Sequence, residues 1–153
     1  MRAWRIEKDI HIPTAKIGEG ARLEGARWNP AGMPMVYAAA HLSLAVLEVL
    51  VHAHTPAQRR AKRSRVAIEI PDEAVEVLDR ARVPRGFSMR TPFGVTQALG
   101  EEWLSNRRSV ALLVPSLIVP EDCVLLNPLH PAYGRCKWAD FVSIELDPRL
   151  WSV

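Results

Sequence analysis

Arg27, Tyr37 ten residues on and Glu48 eleven further have the side-chain types of a small catalytic set. A guanidinium is shaped for a two-pronged grip on phosphate, and a phenol ring packs against flat ligands. Glu48 is the odd member, because it interrupts the greasiest run of the chain, His41–Ala53. Its helical neighbours Leu44, Ala45 and Val51 are apolar. A carboxylate buried there without partners takes up a proton rather than stay charged, so a cation or hydrogen-bond donors are expected beside it. The ordinary alternative is a structural ion pair, with Arg27 a surface charge and Tyr37 a packing residue. Periodicity does not separate that from a carboxylate kept for chemistry.

Arg5 lies on the polar side of a short alternating stretch, and Ser116 follows a proline in "VPSLIVPEDCVLLNPLHP". No G-x-S-x-G elbow surrounds Ser116, so nothing local marks it as a nucleophile. Asn127-Pro128 and His130-Pro131 read as turn punctuation. Gly18-Glu19-Gly20 starts like a dinucleotide fingerprint but has no strand leading in and no third glycine in place. His52 and His54 point to different helix faces, which argues against a metal pair. Arg59, Arg60, Lys62, Arg63 and Arg65 form a basic cluster, most simply a solvated helix end rather than a nucleic-acid patch.

The elements that position these residues follow from pattern. Arg2–Ile6 alternates as a strand. Residues 11–24 have no clear period and read as loop. Asn29-Pro30-Ala31-Gly32 has the composition of a type I turn, with strands near Ala26–Trp28 and Met35–Ala38 forming a hairpin around it. His41–Ala53 reads as a buried helix. Strands are expected at Val66–Ile70, Val110–Val114, Leu117–Val119, Val124–Leu126 and Phe141–Leu146. Asp72–Asp79 reads as a short helix. Thr91-Pro92 opens another, with Val95, Leu99 and Trp103 on one stripe. The irregular mixing of strands and helices favours α+β.

Bulk properties exclude several classes. The chain of 153 residues is 48% apolar and 24% charged, which suits one globular domain spanning 1–153. No apolar run reaches the roughly 20 residues of a membrane span, and "MRAWRIEKDI" turns charged too soon for a signal peptide. Cys123 and Cys136 have no second pair, so neither a disulfide framework nor a zinc site is indicated. A net charge of +3 is too small to imply nucleic-acid binding by itself. A reduced cytoplasmic setting is the expectation.

The order of the motifs carries more than any one of them. The chain resembles the RES domain family, the toxin half of RES–Xre type II toxin–antitoxin pairs. The resemblance runs through "AWRI" at 3–6, "GARWNPAG" at 25–32, "VYAA" at 36–39, "LAVLEVLVH" at 44–52, "VPSLIVP" at 114–120, "LLNPLHP" at 125–131 and "LDPRLW" at 146–151. Residues 55–105 carry little of it. It implies an ADP-ribosyltransferase-like α+β fold, two small mainly antiparallel sheets with flanking helices around an NAD cleft. The implied activity is cleavage of the nicotinamide–ribose bond of NAD by glycohydrolysis or phosphorolysis, depleting cellular NAD and stopping growth. The alternative is transfer of ADP-ribose to a specific cellular protein. The resemblance implies that Arg27, Glu48 and Ser116 are the Arg, Glu and Ser that name the family. By the same resemblance Glu48 faces the ribose as a dry electrostatic stabiliser, with Arg27 and Arg5 sharing its pocket and holding the pyrophosphate. Tyr37 packs on nicotinamide, and Ser116 and Asn127 bond the ribose or amide. NAD is then a substrate and no metal is required. The implied partner is an Xre-type helix-turn-helix antitoxin that blocks the cleft, with DNA reached only through it and no membrane. The acceptor and the oligomeric state, a homodimer in the complex included, stay open.

Overall fold

Alternating apolar residues build a mixed α+β chain in the computed structural model, which describes residues 1–151. Its strands are β1 (Arg2–Lys8), β2 (Val36–Ala39), β3 (Arg63–Glu69), β4 (Val75–Val77), β5 (Ala111–Pro115), β6 (Asp122–Leu126), β7 (Lys137–Trp138) and β8 (Val142–Ile144). They form one sheet in the order β4-β5-β6-β2-β1-β3-β7, with β8 also on β3. Among the described residues only β4 and β5 pair in parallel. The helices are α1 (Glu19–Glu24), α2 (Leu42–His52), α3 (Pro56–Arg60) and α4 (Phe93–Asn106).

The two expected sheets are two arms of this single sheet, joined at a thin seam. β1 meets β3 over seven registered pairs and β2 meets β6 over four. Between β1 and β2 there is one, Trp4 opposite Ala39. At the seam the Arg5 guanidinium donates to the Tyr37 carbonyl, a side chain doing what a ladder hydrogen bond does elsewhere.

Alternation along the strands gives each face its own core. Val36, Ala38, Val124 and Leu126 pack with Ala3 and Ile68 on one face. On the other, Leu112, Val114 and Leu125 meet Trp28, Met35 and Trp103, the last from α4. α2 covers the seam end of this second face, with Leu44 and Ala45 against Ala39.

Four expectations are corrected. Residues 26–38 make no hairpin: Ala26 and Asn29 form an isolated bridge, and β2 pairs with β1 and β6 instead. Asp72–Asp79 is a single 3-10 turn followed by β4, because Val75 and Val77 flank Glu76 with the period of a strand. Leu117–Val119 is not a strand, since the Ser116 hydroxyl accepts the Ile118 N–H and closes a turn there. The stretch 11–24 is not all loop: it holds most of a 3-10 helix (Asp9–Thr14) and all of α1. Among the described residues no helix is long and apolar enough to cross a membrane.

Candidate active site

The segment Arg27-Trp28-Asn29 gives three neighbours three jobs. Trp28 is driven into the core with Met35 and Trp103. Asn29 is fully buried, and its amide donates to the Ala21, Met33 and Pro30 carbonyls at 2.8, 2.9 and 3.1 Å. Buried polar groups need such partners, so Asn29 staples the loop that a hairpin ladder would otherwise have held. Arg27 is left partly exposed, its Nη1 donating to the Thr91 carbonyl at 2.6 Å and its guanidinium 4.0 Å from the centre of the Phe93 ring.

α4 lies directly on this segment. The Thr96 hydroxyl donates to the Arg27 carbonyl at 2.5 Å, and the Gln97 amide to the carbonyls of Ala26 and Asn29 at 2.9 and 3.2 Å. Contact this close needs Gly100, where a Cβ would stand 1.7 Å from the Trp28 carbonyl oxygen. Sequence reasoning passed over Thr96, Gln97 and Gly100. The available signal was a glycine inside a helix, which costs about 1 kcal/mol against alanine and so suggests close backbone approach.

Tyr37 is tied to this segment and lies on the same face of the sheet as Cys123. Its hydroxyl accepts the Trp28 N–H at 3.1 Å and donates to Asn29 Oδ1 at 2.7 Å. Burial pushes the phenol far up, with the neighbouring Cys123 adding to the shift. Tyr37 and Ala39 share a face of β2, opposite Leu125 and Cys123 of β6. Cys123 therefore stands about 7 Å along the sheet from the Tyr37 row, two strand residues away.

Glu48 reaches that row from α2. Its Oε1 accepts from the Cys123 thiol at 3.3 Å and from the Ser116 hydroxyl at 3.4 Å, and Oε2 lies 3.6 Å from His52 Nε2 one helical turn on. The thiol pKa is pushed far up, by burial first and by the Glu48 charge next, so Cys123 is a donor here and not a nucleophile. The neighbouring Glu48 carboxylate raises the His52 pKa against the effect of burial. The carboxylate is not sealed as expected: its side chain keeps 32% of its exposure. The reason is that α2 packs only Leu44 and Ala45 fully, leaving Leu42 and residues 46–50 of this mostly apolar helix half-buried and Ser43, Val51 and His52 exposed.

Glu48 and Ser116 thus meet at Cys123, two strand residues along the sheet from Tyr37. The Tyr37 hydroxyl bonds the Trp28 and Asn29 groups that follow Arg27 in the chain, while the Arg27 guanidinium itself contacts Thr91 and Phe93. Arg5 does not join Glu48 and Ser116. It falls between Trp4 and Ile6, which face α2, so alternation turns it to the opposite side, where it pairs with Glu7. Asn127 is also apart: it is 0% exposed, donating to the Leu104 carbonyl and accepting the Leu129 N–H, which makes it turn scaffolding. Arg63 of the basic cluster turns inward and caps the α3 carbonyls of Gln58 and Arg59. A recess of about 160 Å³ between Ile6, Lys8, Val49, His52 and Arg63 is smaller than the roughly 300 Å³ where ligand pockets begin, and Glu48 does not line it. Among the described residues no group of three or more His, Cys, Asp or Glu is placed to hold a metal ion.

The sequence model of the RES domain matches residues 2–147. The chain is 38% identical to a protein named Toxin Res from Photorhabdus laumondii, covering 98% of this chain and 97% of that one. It is 39% identical to a Prs ADP-ribosylating toxin from a Sphingobium species, covering 96% and 94%. Among solved structures, the M. tuberculosis MbcT-MbcA toxin-antitoxin complex contains a chain that superposes with a TM-score of 0.76, over 99% of this chain and 86% of that one, at 23% identity. That last likeness is one of fold.

Proposed function

The chain belongs to the RES domain family, and from that premise we propose that it is the toxin of a toxin–antitoxin pair and breaks the nicotinamide–ribose bond of NAD. The observation that carries this reading is Glu48: a carboxylate held by a thiol and a hydroxyl, open to solvent on one side and standing beside the Tyr37 row. Cleaving the bond sends its electron pair to the nicotinamide nitrogen and leaves positive charge on the ribose C1′ and ring oxygen. A fixed anion nearby lowers the energy of that oxocarbenium-like state. The Ser116 and Cys123 donors fix the direction of Oε1 in advance, so little reorganisation is needed when the charge develops. Tyr37 presents its ring edge or face to nicotinamide, and Arg27 grips the pyrophosphate with the donors it does not give to Thr91. Water then adds to C1′ and loses its proton, giving nicotinamide and ADP-ribose. With phosphate as acceptor the product is the 1″-phosphate of ADP-ribose.

The test is to incubate purified protein with NAD, with and without phosphate, and to separate the products. Nicotinamide should accumulate, and Glu48→Gln should slow it on the order of 10²–10³-fold. Folded protein that leaves NAD intact, or equal loss in both samples, overturns the reading. A second reading, ADP-ribosylation of a cellular protein, is favoured by the Sphingobium relative, which is named an ADP-ribosylating toxin. It predicts label from NAD on one discrete protein band of a lysate while bulk NAD falls slowly. An Xre-type antitoxin is the proposed partner, supported by the toxin-antitoxin complex that shares the fold.

A further inference from the structure

The sequence marks Thr91-Pro92 only as a helix start, yet Thr91 and the first turn of α4 make the contacts to Arg27. The Thr91 carbonyl occupies Nη1, the guanidinium carbon stands over the Phe93 ring at 4.0 Å from its centre, and Thr96 fixes the backbone at the Arg27 carbonyl. Among the described residues no hydrogen bond is made to Nε or Nη2, which is the edge suited to a two-pronged bond with phosphate. Phe93 keeps 49% of its exposure, so the face it shares with Arg27 is open to solvent on one side.

We propose that Phe93 is the positioning residue of Arg27: its ring and the Thr91 carbonyl hold the guanidinium in one orientation, with its remaining donor edge presented to the pyrophosphate of the dinucleotide. This rests on the reading of Arg27 as the pyrophosphate grip. A free arginine loses rotamer freedom when it grips an anion, and here that freedom is already removed in the folded state. Phe93 does not touch the reacting atoms, so its effect falls on binding and not on the bond-breaking step. Leucine at 93 would keep the apolar bulk and lose the ring's negative face, whereas tyrosine would keep both. The two substitutions separate an electrostatic hold on Arg27 from simple packing.

The experiment compares wild type with Phe93→Ala, Phe93→Leu, Phe93→Tyr and Arg27→Ala. It records NAD kinetics, calorimetric binding of ADP-ribose and melting temperature for each. Phe93→Ala and Phe93→Leu should raise KM and the ADP-ribose dissociation constant about fivefold, in line with a cation–π contact, with kcat within about twofold. Phe93→Tyr should behave as wild type, and adding Phe93→Ala to Arg27→Ala should cost nothing further. Melting temperatures should stay together. The proposal is overturned if Phe93→Leu matches wild type, if the two substitutions add, or if wild type does not bind ADP-ribose. Phe93-dependent ADP-ribose binding by a protein that leaves NAD intact would uphold this inference while removing the proposed activity. NAD cleavage indifferent to Phe93 would do the reverse.

Discussion

Gly100→Ala is the sharpest test of how the site is assembled. The added methyl would begin 1.7 Å from the Trp28 carbonyl oxygen. Carbon and oxygen need roughly 3.3 Å, so α4 and the Arg27 segment must part by about 1.5 Å. Overfilling of this kind costs about 1–3 kcal/mol. The Thr96–Arg27 and Gln97–Ala26 hydrogen bonds stretch with it, at about 1 kcal/mol each. Alanine returns about 0.5–1 kcal/mol through helix propensity. The net loss is about 2–4 kcal/mol, or roughly 5–12 °C in melting temperature for a chain of this size. Activity should fall further than stability, since a 1 Å misplacement of a binding group costs on the order of 10²-fold. The assay is thermal unfolding beside NAD turnover at a temperature where the variant is folded. Gly94→Ala is the control, because a Cβ there meets nothing within 4 Å. A Gly100→Ala protein with the melting point and turnover of wild type would refute the assembly of Arg27 by α4.

Two further outcomes follow from the titrating groups. In Glu48→Gln the His52 midpoint, read by NMR, should fall, because the Glu48 carboxylate beside it is the main cause of its raised value. A folded-state pKa above the unfolded value near 6.5 stabilises below that pH and fades as pH rises through the folded value. The urea midpoints of wild type and Glu48→Gln should therefore lie furthest apart near pH 5.5 and approach one another above neutrality, and a gap that grows with pH would contradict the pair. Burial raises both thiols, Cys123 further through the Glu48 charge, so iodoacetamide at pH 8 should leave both unmodified in folded protein and label both in denaturant. Rapid labelling of folded wild type at Cys123 would contradict its place beside Glu48.

What the sequence disclosed was governed by where backbone partners come from. β1 and β3 were legible because their apolar residues alternate, and β5 and β6 because short continuous apolar runs end at Pro115 and at Asn127-Pro128. The loop at 25–35 was not, because its carbonyls are met by side chains far along the chain, Gln97 and Thr96 among them. No local pattern records such a partner. Glu48 was visible as a charge among apolar residues, but its exposure was not, since an apolar helix signals burial even when only Leu44 and Ala45 achieve it. Cys123 was read for metal and disulfide chemistry and passed over as a donor, a role that only the register of β2 on β6 reveals.

The thin seam between β1 and β2 changes how substitutions at a distance should be interpreted. Arg5 belongs to one arm and the carbonyl it holds, that of Tyr37, to the other, so this guanidinium helps set the angle at which the arms meet. An Arg5 variant with impaired turnover would thus report a tilted Tyr37 backbone, delivered from the far side of the sheet, and would be no sign that Arg5 meets the dinucleotide.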